Sequence, residues 1–268
     1  MKRLHLIEIE DQPWCPRVIR DYATDYLQFA TVATKAYASV MPLLADALKR
    51  TDSRRILDLC SGGTGPWLDL LPMLRAAGVD ASIRLTDKYP NREAFERASR
   101  ESHGAITRHF EPVDARTVPA ELAGFRTMFS AFHHFRPEQA QVILADAFNQ
   151  RQGIAVFEAG QRNPKMLLSM LLVPLAVLLM TPFIRPFRWS RLLWTYLIPA
   201  VPLINLFDGF VSCLRMYSVE ELGSLTAGLT SDGYTWTAGT VSGQRVPMPV
   251  TYLIGVPIEN VQRRSISV

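Results

Sequence analysis

A glycine-rich turn after a short apolar run is the first feature of the sequence that could bind a ligand. The apolar run at 56–59 leads into the turn at 60–65, which reads CSGGTG, and a helical pattern follows from Pro66 to Leu74. Glycines at such a turn let the backbone approach a ligand closely. In a parallel α/β sheet, ligands bind at the carboxyl ends of the strands, where this turn would lie. The turn therefore predicts a ligand-binding loop.

Two aspartates follow the next two predicted strands. Asp87 comes after the strand 81–86, roughly 20 residues past the glycines, a position from which a carboxylate can accept hydrogen bonds from both hydroxyls of a ribose. Asp114 comes after the strand 106–113 and could accept a hydrogen bond from an adenine amino group. The alternatives are that Asp87 caps the helix beginning near Pro90 and that Asp114 is a turn residue.

Two adjacent histidines, His133 and His134, follow the fourth predicted strand. Histidine titrates near neutral pH, so either is a candidate general base for a hydroxyl nucleophile, and His134 is slightly favoured. Glu158, at the end of the fifth predicted strand, is a further candidate. The alternatives are that the histidines orient the cofactor pocket or cap the helix at Pro137, and that Glu158 is a solvated strand end.

Alternating strands and helices predict an α/β fold with a doubly wound, mostly parallel sheet, flanking helices and an apolar helical insert before the last strands. The predicted strands are 55–59, 81–86, 106–113, 125–131, 153–158, 234–241 and 250–256. The predicted helices after the turn are 66–74, 91–102, 137–151 and 217–229. We divide the chain into an N-terminal helical cap (1–50), a cofactor-binding core (51–160), the insert (161–207) and the completion of the sheet (208–268).

The segment at 56–65, Asp87, Asp114 and the segment FSAFHHF at 129–135 together resemble class I S-adenosylmethionine-dependent methyltransferases of the small-molecule type. The resemblance covers about residues 50–160, and the segment YLIG at 252–255 resembles the family's last strand. It implies a Rossmann-like fold, methyl transfer and S-adenosylmethionine as the cofactor. The cofactor-binding residues that it implies are Asp58, Ser61, Gly62, Gly63, Gly65, Asp87, Lys88, Asp114, Ala115, Ser130 and Ala131.

The turn departs from the family pattern, which places glycines two, four and six residues after the acid. Cys60, Gly62 and Thr64 hold those positions here, with Gly63 and Gly65 beside them. A nicotinamide cofactor is the main rival, but it requires a G-x-G-x-x-G frame that the turn does not offer. The alternatives for function are another transferase reaction on the same fold, such as aminopropyl transfer, and a non-catalytic, membrane-associated member.

The composition changes at Met166. Residues 166–184 carry no charge, a basic aromatic link follows at 185–191, and a second uncharged run spans 192–207. The first run barely reaches the length of a transmembrane helix, and the second is too short. Two full spans would also carry Arg185, Arg188 and Arg191 across the membrane, against the positive-inside rule.

We therefore expect residues 166–207 to form a hairpin that enters one leaflet or lies at a membrane surface, with Trp189 and the arginines at headgroup level. The alternative is a buried helical lid or a dimer interface. In either case the apolar insert lies beside the expected acceptor pocket and favours a hydrophobic acceptor. Asp208 is expected to cap a helix, with a substrate-facing role for Asp208 or Arg215 as the alternative.

The charge and cysteine patterns narrow the possible classes. The net charge is +4, but the arginines cluster beside apolar runs, so no nucleic-acid partner is expected. Cys15, Cys60 and Cys213 are widely spaced and form no metal-binding motif, so no metal site is predicted. The N-terminus lacks the apolar region of a signal peptide. We expect a cytoplasmic protein, peripheral or monotopic on the inner face of the membrane, and leave its oligomeric state open.

Overall fold

The computed structural model describes residues 1–243 and 248–258. Within them, seven strands form one sheet in the order β3-β2-β1-β4-β5-β7-β6. The strands are Arg55–Asp58 (β1), Ser82–Leu85 (β2), Ile106–Arg108 (β3), Phe125–Phe129 (β4), Ile154–Ala159 (β5), Tyr234–Ser242 (β6) and Pro249–Pro257 (β7). The α-helices are Arg17–Thr34 (α1), Met41–Arg50 (α2), Trp67–Ala76 (α3), Arg92–Glu101 (α4), Pro137–Asn149 (α5), Pro164–Met170 (α6), Val173–Met180 (α7), Trp189–Leu192 (α8), Ala200–Arg215 (α9) and Val219–Thr226 (α10).

The sheet is parallel from β1 to β5, and only β7 runs against its neighbours β5 and β6. The predicted doubly wound, mostly parallel sheet is confirmed. β1 pairs with β2 on one side and with β4 on the other, so the strand order reverses at β1. Such a switch point opens a cleft at the carboxyl ends of the two central strands, which is where α/β folds bind ligands.

Both faces of the sheet are buried, because successive side chains along each strand enter different cores. On β1, Ile56 packs with helices α2, α3 and α4, whereas Leu57 packs with α5 and α10. On β5, Phe157 joins the first core and Val156 the second. This burial on both faces explains why the strands read as short apolar runs rather than as alternating patterns.

Two strands end at least two residues earlier than predicted, and each ends for a local reason. β3 was expected to reach Val113 but stops at Arg108, which pairs with Leu85, the last residue of β2. β4 was expected to reach Ala131 but stops at Phe129, because Ser130 adopts a positive φ of 43° that no strand accommodates. The chain therefore turns at both places within the cleft.

The insert packs on α1 through a third apolar core. Tyr22 and Tyr26 of α1 contact Val177 of α7 and Val201 of α9. The basic link is fixed by the buried Arg191, which pairs with Asp25 of α1 and donates to the Ile184 and Pro186 carbonyls at 3.2 and 3.0 Å. Helix α1 thus supports one side of the insert.

The helices of the insert are too short or too bent to cross a membrane singly. Across the described ranges, no single helix combines the length and hydropathy of a span. Two bent pairs reach that length and hydropathy only in combination, Pro164–Met170 with Val173–Phe183 at 42° and Trp189–Leu197 with Ala200–Arg215 at 70°.

Gly255 of β7 lies opposite Trp236 of β6, and a Cβ on Gly255 would come within 2.4 Å of the indole. The indole is held by its hydrogen bond to the Leu229 carbonyl at 2.9 Å. We therefore predict that Gly255→Ala lowers the free energy of unfolding by about 1–3 kcal/mol. The control Gly223→Ala, in α10 with no heavy atom within 4 Å, should raise it by about 0.5–1 kcal/mol. Urea denaturation measures both, and an unchanged Gly255→Ala protein would contradict the packing.

Candidate active site

The carboxylate of Asp58, the last residue of β1, holds the glycine-rich bend in place. Asp58 Oδ2 accepts a hydrogen bond from Ser61 Oγ, and Oδ1 accepts one from Thr127 Oγ1 of β4, both at 2.7 Å. Burial raises the pKa of Asp58 to about 6, although these hydrogen bonds stabilise its charged form. One buried carboxylate therefore joins β1, the bend and β4.

Four residues of the bend have positive φ angles. Gly62 at 52° and Gly65 at 57° use the freedom that glycine alone has at no steric cost. Cys60 at 56° and Thr64 at 148° occupy the positions where the family pattern has glycine. Thr64 is held there by a hydrogen bond from the Gln28 side chain of α1. The hydrogen bond from α1 thus stabilises the bend at Thr64, where the family pattern has a glycine.

Helix α1 closes over the bend. A Cβ on Gly63 would lie 3.2 Å from Thr24 Cγ2 and 3.4 Å from Gln28 Oε1. A larger residue at position 63 would require α1 or its side chains to shift by a few tenths of an ångström. Helix α1 therefore packs against the insert with one of its sides and against the glycine-rich bend with another side.

Asp87 lies directly beside the bend. Its Oδ2 accepts a hydrogen bond from Gly62 N and its Oδ1 one from Tyr89 N, both at 2.8 Å. The alternative of a helix cap is wrong, because Asn91 caps α4 by accepting from Ala94 N at 3.1 Å. The Asp87 carboxylate is thus available at the carboxyl edge of β2.

Asp114 lies at the same edge of the sheet. Lys88 Nζ, one residue past Asp87, is 3.9 Å from Asp114 Oδ2. The side chain of Arg116 donates to Asp114 Oδ1 at 2.9 Å and to Oδ2 at 2.6 Å, and this pair lowers the pKa of Asp114 to about 2. Asp114 Oδ1 also accepts from Arg116 N at 3.0 Å, the geometry of a turn residue. An adenine amino group would share this carboxylate with Arg116.

Three further candidate cofactor residues, Ser130, Ala131 and Ala115, have side chains that are hydrogen-bonded or buried within the fold. Ser130 Oγ is bonded to Tyr37 Oη at 2.5 Å and accepts from Ala159 N at 3.3 Å. The side chains of Ala131 and Ala115 are buried. Ser130 is also in the left-handed conformation, at φ 43°.

A buried histidine–carboxylate pair lies at the ends of β4 and β5. Glu158 Oε2 is 2.5 Å from His133 Nδ1, and Oε1 accepts from Phe132 N at 2.7 Å. Burial opposes the charge on Glu158, but His133 and the Phe132 N–H outweigh it and lower the pKa of Glu158. The alternative of a solvated strand end is wrong, because Glu158 is 1% exposed.

The hydrogen bond to Glu158 determines which nitrogen of His133 is left to accept a proton. With Nδ1 donating to Glu158, the neutral ring has Nε2 as its acceptor. In the described part of the chain, His133 Nε2 is buried and has no hydrogen-bond partner. Capping of α5 is not a role of the histidines, because that helix begins at Pro137 with Arg136 as its N-cap residue.

Residues of the N-terminal segment complete this cluster, and no local pattern predicted their approach to the histidines. Glu8 Oε1 lies 3.8 Å from His133 Nε2, and Glu8 Oε2 lies 3.3 Å from His134 Nδ1. Asp11 Oδ2 is 3.1 Å from the same His134 nitrogen. Burial lowers the pKa of His134, but the hydrogen bond to Asp11 and the charge of Glu8 raise it to about 9.

Helix α9 holds the N-terminal segment in place. Asp208 accepts hydrogen bonds from Ile9 N at 2.7 Å and Glu10 N at 3.0 Å, and Arg215 Nη1 lies 3.0 Å from Glu8 Oε1 and 3.1 Å from Asp11 Oδ2. The expected helix cap at Asp208 is wrong, because Asp208 lies inside α9. Both residues instead anchor acids that neighbour the histidines.

The cluster of Glu8, His133 and His134 has the distances of a possible metal site. One ligand atom from each lies within 4.8 Å of the other two. Arg215 Nη1, however, is 3.0 Å from Glu8 Oε1 and 3.5 Å from His134 Nδ1, so a guanidinium already supplies the positive charge. Glu10 belongs to the same acidic group, and its burial together with the charges of Asp208 and Glu8 raises the pKa of Glu10 to about 8. The arrangement is better described as a buried ion-pair network.

We predict that Asp11→Asn lowers the pKa of His134 from about 9 towards its ordinary value, because the variant lacks the hydrogen-bonded carboxylate. A raised histidine pKa adds stability that is complete below pH 6.5 and is lost as the pH rises through about 9. The variant should lack that pH dependence. NMR titration of the imidazole, assigned with His134→Gln, measures the shift, with the surface variant Asp46→Asn as the control. A pKa unchanged in Asp11→Asn would contradict the contact.

Comparisons with known proteins agree with this geometry at the level of the fold. No protein-family model and no curated protein matches the chain. A structure of the plantazolicin methyltransferase BpumL in complex with SAH aligns over 93% of this chain and 92% of that chain, at 12% identity and a TM-score of 0.56. A second BpumL structure, with a monoazolic desmethylPZN analog and SAH, aligns over 89% and 90% at 12% identity and a TM-score of 0.54.

A putative O-methyltransferase from Nostoc punctiforme PCC 73102 aligns over 85% of this chain and 59% of that chain, at 14% identity and a TM-score of 0.48, which is too distant to support an argument. At identities as low as those of the two BpumL structures, the likeness establishes the fold and nothing finer. The chain therefore has the fold of the class I S-adenosylmethionine-dependent methyltransferases that its sequence resembles.

Proposed function

We propose that this protein transfers a methyl group from S-adenosylmethionine to a hydrophobic or lipid-like acceptor that it meets at a membrane surface. The observation that carries the proposal is the contact between Asp87 and Gly62 N at the switch point of the sheet. An acidic side chain beside a glycine bend is the arrangement that binds the ribose of an adenosine-containing cofactor. The methyltransferase fold supports the same cofactor.

The residues at the cleft fit the parts of this cofactor. The Asp87 carboxylate would accept hydrogen bonds from the ribose hydroxyls, and Asp114 would accept one from the adenine amino group while still paired with Arg116. Gly62 and Gly63 let the backbone pass close to the ligand. The bound cofactor supplies a sulfonium methyl group, which an aligned nucleophile can displace directly.

The surroundings of the two histidines favour one of them as the general base. With a pKa of about 9, His134 is protonated at neutral pH and cannot accept a proton there. His133 Nε2 has no hydrogen-bond partner in the described chain, and Glu158 orients the ring through Nδ1. We therefore assign the role of base to His133.

In the proposed reaction, the acceptor oxygen or nitrogen forms a bond to the methyl carbon as the bond from carbon to sulfur breaks. The acceptor proton moves to His133 Nε2. The Glu158 carboxylate stabilises the imidazolium that results, as a buried carboxylate does in other histidine pairs. Proton transfer of this kind contributes about 10²–10⁴-fold to a rate.

The apolar surface beside the histidine cluster favours a hydrophobic acceptor. Helix α9 places Asp208 and Arg215 beside the histidine cluster and exposes Leu203 and Phe207, which are 57% and 48% accessible. The apolar insert therefore adjoins the polar site along a single helix. An acceptor with an apolar body and one nucleophilic group would fit both environments, and such molecules partition to membrane surfaces.

Aminopropyl transfer is a second candidate, because the buried carboxylates of Glu8 and Asp208 could bind a cationic amine. Arg215 and the protonated His134 already neutralise Glu8 and Asp11, which leaves methyl transfer as the better candidate. Titration with S-adenosylmethionine and with its decarboxylated form distinguishes the two. Aminopropyl transfer would require tighter binding of the decarboxylated form.

We predict that Asp87→Ala weakens the binding of S-adenosylmethionine at least about tenfold, because a hydrogen bond to a charged group is worth about 1.5–3 kcal/mol. Calorimetric titration measures the affinity. Asp80→Ala is the matched control, since the Asp80 side chain is 94% exposed and lies away from the cleft. Equal affinity in the wild-type and Asp87→Ala proteins would refute the ribose assignment, and tighter binding of a nicotinamide dinucleotide would refute the cofactor.

We predict that His133→Asn lowers methyl transfer at least about 100-fold and leaves the affinity for S-adenosylmethionine unchanged, because the variant lacks the assigned base and keeps Asp87 and the glycine-rich bend. The assay follows tritium from the labelled methyl group into the organic-solvent extract of a bacterial membrane fraction. His103→Asn is the control, because His103 is exposed and its φ of 52° suits asparagine. Wild-type transfer by His133→Asn would show that His133 is not the base, and no transfer by the wild type to any extract would count against the hydrophobic acceptor.

A further inference from the structure

The insert exposes a continuous row of leucines, which we call the leucine stripe. Apart from one adjacent pair, its members follow one another at helical intervals of three or four residues along α6, α7 and the link between them. Each is more than half exposed, from 54% to 67%. The leucine stripe comprises Leu168, Leu171, Leu172, Leu175 and Leu179.

The exposure of the leucine stripe is not a consequence of loose packing. The opposite side of α7, at Val173, Ala176, Val177 and Met180, packs on α1, and Val177 is fully buried. Helix α7 is therefore apolar all round but buried on one side only. A helix of this kind needs a second apolar partner to cover its free side.

Further large apolar side chains extend the exposed surface. Phe183 is 66% exposed, Trp189 is 79% exposed and Leu197 is 76% exposed. Isolated apolar residues are common on protein surfaces, but an accumulation of this size within one segment marks an interaction surface. Tryptophan and arginine side by side, as at Trp189 and Arg188, are typical of the membrane–water interface.

The charges of the insert favour an anionic partner. From Ala159 to Phe207 the sequence contains five lysines and arginines and no aspartate or glutamate. Arg162, Arg188 and Arg191 pair with acids outside this segment, at Glu221, Glu93 and Asp25. Lys165 and Arg185 flank the leucine stripe and make no ion pair with any described residue, so they can bind an anionic surface.

We infer that the leucine stripe docks on an anionic lipid bilayer, with α6 and α7 lying in the plane of the interface rather than crossing it. The bend of 42° between these helices excludes a straight span and suits a segment lying along a surface. A second copy of the chain fits less well, because a symmetric contact would bring Lys165 and Arg185 against the same cations. The inference deepens the membrane part of the proposed function and is independent of methyl transfer.

The test is co-sedimentation of the full chain with vesicles of phosphatidylcholine alone and of phosphatidylcholine mixed with phosphatidylglycerol. We expect binding to the mixed vesicles that weakens as the salt concentration rises, and weaker binding to the neutral vesicles. The triple variant Leu172→Asp, Leu175→Asp, Leu179→Asp should bind at least about tenfold more weakly. The double variant Lys165→Glu, Arg185→Glu should lose the preference for phosphatidylglycerol.

Val142→Asp is the matched control, because Val142 is also apolar and 48% exposed but lies on α5, outside the insert. Circular dichroism and calorimetric titration with S-adenosylmethionine establish that each variant is folded, and they keep a failure of docking distinct from a failure of cofactor binding. Equal sedimentation of the triple variant and the wild type would overturn the inference. So would a dimer in sedimentation velocity that the triple variant abolishes, since a second copy would then cover the leucine stripe.

Discussion

The buried carboxylate of Asp58 is the point on which the candidate site depends. It accepts hydrogen bonds from Ser61 in the bend and from Thr127 in β4, and thus fixes the loop where the strand order reverses. A buried carboxylate is stable only when such donors compensate for its lost hydration. The position of Gly62 N, and with it the contact to Asp87, follows from this arrangement.

Helix α1 links this loop to the insert. Its Gln28 side chain holds Thr64 in the bend, and its Tyr22 and Tyr26 pack against the apolar helices. Helix α9 makes the second link, because its residues Asp208 and Arg215 fix the N-terminal segment beside the histidines. The glycine-rich bend, the histidine cluster and an apolar surface therefore share two helices.

Local patterns were enough to predict the core. Short apolar runs followed by glycines or aspartates located the sheet, Asp87 and Asp114, because strands buried on both faces have a distinct composition. The ends of β3 and β4 were predicted wrongly. The pairing of Arg108 with Leu85 and the positive φ of Ser130 cannot be predicted from local hydrophobicity. The sheet itself was confirmed.

The cluster around the two histidines could not be predicted in the same way. Asp11 and Arg215 are 204 positions apart, and no periodicity connects them. The sequence slightly favoured His134 over its neighbour, whereas the environments that distinguish them come from Glu158, Glu8 and Asp11, all distant in sequence. Tertiary contacts alone therefore distinguish the two adjacent histidines.

A crystal structure of the protein with S-adenosylhomocysteine is the most direct test of the adenosine site. We predict both ribose hydroxyls within about 3.2 Å of the Asp87 carboxylate oxygens, with the ligand lying over Gly62 and Gly63. A nucleoside bound elsewhere, or Asp87 turned away from the ligand, would contradict the assignment of this cleft.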